Sequence, residues 1–259
     1  MSQCTTHPRS AEVEAEPAPR RRVLLSGGVL ELVVLVALFV VYNLVRSLPS
    51  ADASTAVAHA GRVLSLEGPL FSHLERPLNH WLAAAPVFAV AACYYYAALH
   101  YVATPAVLLL SRRRGGWRYR RAYWTLVLAS AFALIGYAVL PTAPPRLVPH
   151  LDIVDVLRVY ADYGWWGSAA SAPRGIGDAT NQYAAMPSMH FGWALWCAIQ
   201  LWGFGGRGWR VIAVLYPGIL LVVVLATGNH FLLDVLAGAG CVVVAHLLVT
   251  LVERRRGRP

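Results

Sequence analysis

The chain has 259 residues and a formal net charge of +9, with 58% hydrophobic residues, 14% charged residues and a mean hydropathy of +0.52. A soluble domain of this length carries about 25% charged residues, so the composition excludes an ordinary soluble enzyme and points to an all-α, integral-membrane protein. All 22 basic residues are arginine. Basic clusters also occur in nucleic-acid binders, but these flank apolar runs and read as topology signals that attract anionic lipid; no nucleic-acid partner is expected. The four cysteines, Cys4, Cys93, Cys197 and Cys241, lack paired spacing, and three lie in apolar runs where cysteine acts as a small hydrophobe. Neither a disulfide nor a zinc–thiolate site is expected.

In chain order, residues 1–22 are polar, end in "RRR" and read as a disordered cytoplasmic tail. The run "VLLSGGVLELVVLVALFVVYNLV" exceeds a signal-peptide core and lacks a small-residue cleavage site, so it is read as a first membrane span. About twenty apolar residues cross a bilayer as a helix. By that measure five more spans follow, near 84–110, 122–141, 187–203, 211–228 and 230–252. They make one six-span catalytic domain over 23–252, trailed by a basic tail at 253–259. The arginine runs "SRRRGGWRYRR", "GGRGWR" and "ERRRGRP" follow the second, fourth and sixth spans. With Arg20–Arg22 they share one side, which the positive-inside rule makes cytoplasmic; both termini are then inside, in a cell membrane.

Two longer segments remain outside. Residues 47–83 mix charges with spaced apolar residues, predicting amphipathic helices at the outer interface. Residues 142–186 hold "PTAPPRLVPH", a weakly helical "DIVDVLRVYADY" and a Gly/Ala/Ser stretch; a loop of this length between spans is often functional. No internal repeat or second domain is visible.

The chemistry concentrates in "MPSMH" and "TGNHFLLD". Two crossings between His190 and His230 consume roughly forty residues, so both histidines emerge on the outer face, each in the first turn of a helix. Pro187 and Ser188 suit a helix start and cap, and Asn229 a second cap. Such starts attract anions. His230 and Asp234, four apart, share a helix face: the carboxylate would orient one ring nitrogen and leave the other free to attack. His190 would protonate the leaving oxygen. Phosphate oxygens need neutralising, for which Arg146 in "PTAPPRL" is the best-placed cation and Arg174 a weaker one; Asn229 is read as a phosphate contact as well as a cap.

These motifs resemble the second and third motifs of the type 2 phosphatidic-acid phosphatase superfamily, which includes vanadium haloperoxidases. The resemblance covers roughly 84–252. It implies a phosphorylated His230 supported by Asp234, His190 as general acid and Ser188 as a phosphate contact. The first motif, K-x-x-x-x-x-x-R-P, is absent: "ERP" at 75–77 has its final dipeptide, but Pro69 occupies the lysine position. Val224 stands where the third motif has arginine. The pattern "YAVLPTAPPRL", "YAAMPSMHFGWAL" and "TGNHFLLD" looks closer to the inositol phosphorylceramide synthase branch, in which Arg146 would supply the missing cation.

The expected function is therefore a lipid-phosphate phosphotransferase or phosphatase that uses no cofactor or metal, with a membrane lipid phosphate as donor and water, inositol or another alcohol as acceptor. Oligomeric state is not legible. Two other classes fit the same residues: a metal-dependent hydrolase ligated by His190, His230 and Asp234, and a lipid-phosphate binder or transporter. His100 and His246 read as packing residues, "YYY" at 94–96 as an interfacial belt, and Glu67, Glu75 and Asp178 as solvated loop acids. The run "AGAG" (237–240) reads as a close helix contact.

Overall fold

The structure, a computed structural model, describes residues 20–47, 53–166 and 182–257. Arg174, Asp178, residues 1–19 of the expected N-terminal tail and residues 258–259 lie outside these residues, whereas 253–255 of the expected basic tail continue the last helix. The chain divides into two compact units. In the first, residues 1–37, the described part is the opening of helix α1 (Arg20–Ser47), whose apolar stretch is Gly28–Leu38.

The second unit, residues 38–259, is built from helices joined by irregular segments, the longer described ones at 140–155 and 182–188. It holds α2 (Ala53–Glu67), a π turn at Phe71–Glu75, α3 (Arg76–Ala83), α4 (Pro86–Arg114) and α5 (Gly116–Val139). The single-turn α6 (Val156–Val159), α7 (Met189–Trp202), α8 (Arg207–Ala226) and α9 (Leu232–Arg255) follow. The stretch expected to be weakly helical thus forms little more than α6 and a 3-10 turn at Ala161–Tyr163. Among the described residues no strand forms; Thr142 and Ala184 make one isolated parallel bridge.

Helices α4, α5, α8 and α9 are long and apolar enough to cross a membrane, which marks the chain as a membrane protein. Their outward side chains, such as Val87, Val102, Val139 and Leu247, are apolar and exposed, as a lipid surround requires. Six spans were expected, and each expected segment is helical, but α7 has only 14 residues. Its rise is about 21 Å, short of a ~30 Å hydrocarbon core. The chain breaks it at "GFGG", where Gly205 and Gly206 take positive φ.

At one end of the bundle, arginines do more than signal topology. Arg114 donates to the carbonyls of Gly203 and Phe204, both at 2.6 Å, closing the C-terminus of α7. There a cation also meets the negative end of the helix dipole. Arg121 donates to Glu253 at 2.8 Å and ties α5 to α9.

At the other end, α2 to α3 bury one continuous stripe: Ala56, Ala60, Val63, Glu67, Phe71, Glu75, Asn79 and Leu82. Spacings of three and four keep these on one helical face. That face packs on Ala143 and Phe231. The Ala143 amide donates to Ala56 and the His59 ring to Pro141, so the stripe covers the segment that follows α5.

Candidate active site

Helix α7 begins at Met189 with Ser188 as its cap residue, placing Pro187 outside the helix rather than in its first turn. The Ser188 hydroxyl makes no capping bond; its Oγ is buried without a hydrogen-bond partner among the described residues. The cap is held by its backbone instead: its amide donates to the Asp234 carbonyl at 2.8 Å. That contact demands glycine opposite, because a β-carbon on Gly238 would lie 2.1 Å from the Ser188 carbonyl oxygen. One built on Gly192 would sit 3.2 Å from the Gly238 carbonyl, and one on Gly136 would meet the Pro187 ring at 2.6 Å. Three helices thus converge on this cap, as the small-residue run foretold for α9.

His190, the second residue of α7, faces His230 with ring centroids 5.7 Å apart. The expected pairing of the two histidines is therefore present. His230 lies two residues before α9 rather than within it, in the turn opened by Gly228 at φ +72°. Its amide and that of Asn229 both donate to the Val224 carbonyl at 3.3 Å.

Nδ1 of His230 lies 3.0 Å from the Ala185 carbonyl, and a carbonyl only accepts, so Nδ1 carries a proton; in the neutral ring the lone pair is then on Nε2. Nε2 is buried and has no hydrogen-bond partner among the described residues. Asp234 was expected to hold the ring; its nearer oxygen is 3.5 Å from Nδ1 and instead accepts from the Phe231 amide at 2.9 Å. The carboxylate therefore acts on the ring by charge, and the main chain orients it. Ala185 is held in place by Thr142, whose amide donates to Tyr183 at 2.7 Å and whose carbonyl accepts from the Ala185 amide at 3.2 Å.

Arg146 is buried beside this turn. Its amide donates to the Gly228 carbonyl at 3.0 Å, its Nε to Asn229 Oδ1 at 2.9 Å, and its Nη1 to Asp155 at 3.1 Å. Asn229 is thus an arginine-orienting residue rather than a helix cap; its amide nitrogen donates to Thr227 Oγ1. Phe231 occupies the cap position of α9. Asn79 steadies the assembly from α3: its amide donates to Val154 and Ala226 at 2.9 Å and accepts from Val154 N at 2.8 Å.

The start of α9 is no open anion site. Its first amides are taken by protein carboxylates: Leu232 by Glu75 at 3.3 Å and Leu233 by Glu67 at 2.6 Å. Both glutamates were expected to be solvated, yet they are only 2% and 7% exposed respectively. Helix α7 differs. Gly192 makes its first intrahelical bond, to Ser188, so the amides before it have no intrahelical acceptor.

Four residues escaped the sequence reading. Tyr96 is buried and stacks on His190 at 4.2 Å, and His100 meets the same ring edge-on at 4.6 Å. Tyr96 is no belt residue, and the packing expected of His100 is against the His190 ring; Tyr96, His100 and Ala103–Thr104 repeat at helical spacing along α4. Glu67 and Glu75 carried a clearer signal, since they fall in register with the apolar stripe. Among the described residues, no group of three or more His, Cys, Asp or Glu is arranged to hold a metal ion.

The sequence model of the PAP2 superfamily matches residues 61–248, a stretch that contains every group just described. No curated protein and no solved structure matches the chain.

Proposed function

The chain belongs to the PAP2 superfamily, and from that premise we propose that it transfers a phosphoryl group from a membrane lipid phosphate through a phosphohistidine at His230. The observation that carries this reading is the Nε2 of His230: the lone-pair nitrogen of the neutral ring whose Nδ1 donates to Ala185, buried, and without a hydrogen-bond partner among the described residues.

Nε2 attacks phosphorus, the bond from phosphorus to the lipid oxygen breaks, and His190 gives that oxygen its proton. Positive charge appears on the His230 ring as the P–N bond forms; the Asp234 carboxylate at 3.5 Å and the Ala185 carbonyl at 3.0 Å stabilise it. Arg146, Ser188 and the leading amides of α7 neutralise the phosphate oxygens. Arg174 is a further candidate for this role. In the second half His190 deprotonates the acceptor, whose oxygen attacks phosphorus and releases His230. The acceptor is an alcohol rather than water, with inositol phosphate a candidate for the group moved: the likeness of "MPSMH", "TGNHFLLD" and "PTAPPRL" to the inositol phosphorylceramide synthase pattern, with Arg146 in place of the absent lysine, supports this reading. The chemistry needs no metal. Six crossings would put both termini in the cytoplasm and the site at the outer face of the cell membrane.

The experiment is turnover of a phospholipid panel in proteoliposomes, with and without free inositol. His230→Ala should abolish turnover, and labelled phosphate should be trapped on the wild type as an acid-labile, base-stable adduct. Turnover should persist in chelator. Full activity in His230→Ala removes the nucleophile; free phosphate as sole product turns the transferase into a phosphatase.

A further inference from the structure

Glu67 ends α2 and Glu75 ends the π turn, and both reach the same place from the covering stripe. Each uses Oε1 to accept from one of two consecutive amides at the start of α9, Leu232 and Leu233. Each leaves a buried Oε2 without a hydrogen-bond partner among the described residues, and the two carboxyl groups are close enough to interact directly. Among the described residues neither has an ion pair; the other charged group facing them is Asp234, from α9 itself. Two buried, interacting anions without a cation are unfavourable, whereas one proton shared between the two carboxyl groups relieves the repulsion.

We infer that Glu67 and Glu75 are a proton-sharing positioning pair: with one proton between them they hold the first turn of α9, and with it His230 and Asp234, in register with His190. Loss of that proton to solvent leaves two repelling carboxylates and loosens the cover formed by α2 and α3. The catalytic part of this inference rests on the phosphotransfer reading above; the structural part does not. Burial first, and then the charge of Glu67, push the Glu75 carboxyl up to about 8, and burial likewise raises Glu67. The folded protein therefore holds a proton that the unfolded chain releases near its ordinary value of 4.5. Stability from the pair is full below that value and is lost as pH rises towards 8.

Glu75→Gln reproduces the protonated pair permanently, its amide donating to Glu67 and its oxygen accepting from Leu232. The test follows melting of the full-length protein in detergent from pH 5 to pH 9, beside the pH profile of kcat. The wild type should lose several degrees across that range, and Glu75→Gln should lose much less, with the alkaline limb of kcat displaced upward. Glu75→Leu, which leaves Leu232 N–H without its acceptor, should lower kcat about tenfold or more with KM little changed. An identical pH dependence of melting in the wild type and Glu75→Gln would overturn the pair. Melting needs no substrate, so a wild type that turns over no lipid phosphate would sink the functional reading alone.

Discussion

The carbonyl oxygen of Ser188 occupies the space beside Gly238 so closely that any β-carbon there would stand 2.1 Å away. Both partners are backbone, so nothing flexible can yield. Gly238→Ala should force α7 and α9 apart and destabilise the protein by roughly 1–3 kcal/mol. Because the same contact sets the 5.7 Å between His190 and His230, turnover should fall further than stability does. Thermal melting and kcat in one preparation check this, and an unchanged melting temperature would mean the helices separate freely.

Ser188→Ala has the opposite signature. The hydroxyl has no protein partner to lose, so melting should stay close to the wild type. If the hydroxyl meets a phosphate oxygen, kcat/KM should drop about 10- to 100-fold, the worth of one hydrogen bond to a charged group. A lowered melting temperature with normal kinetics would make the serine purely structural.

Arg146→Lys keeps the charge and loses the fork. Lysine cannot bond Asn229 and Asp155 together as the guanidinium does at 2.9 and 3.1 Å. A loss in kcat/KM of about tenfold or more is expected, together with a lower melting temperature because Asp155 is left poorly paired. Wild-type kinetics in this variant would move the phosphate cation elsewhere.

Asn79→Leu should cost stability although the residue touches neither histidine. Its side chain satisfies Val154 N–H, Val154 C=O and Ala226 C=O, and leucine satisfies none. A penalty of roughly 2–4 kcal/mol follows from the buried groups left unpaired, read by melting. Asn79→Asp should recover little of it: the acceptor for Val154 N–H returns, but a buried carboxylate oxygen then faces the Val154 and Ala226 carbonyls, which need a donor.

Much of the architecture was legible because membrane helices announce themselves by composition. Every expected span is helical, and "PSMH" and "GNHFLLD" sit side by side as their spacing implied. The count of crossings was less legible: α7 is apolar throughout, but where a helix stops depends on the glycines after Trp202, not on hydropathy. The roles of Tyr96 and His100 were hidden because neighbours in a helix sequence do not reveal which helix they will face. Glu67 and Glu75 could have been found from their register with Ala60, Val63 and Phe71, a pattern that outweighs the usual solvation of acids.

Local chemistry determined the apolar helices, the arginine-rich ends, the Gly228 turn and the identity of the two histidines, because these depend on residues within a few positions of each other. Tertiary structure alone decided which group orients His230. Asp234 was the sequence neighbour, but Ala185, 45 residues away, supplies the acceptor at 3.0 Å. Carboxylates from α2 and the π turn likewise close the start of α9, where sequence suggested an open anion site. Backbone carbonyls and distant side chains leave no trace in a motif, and only packing brings them within hydrogen-bonding reach.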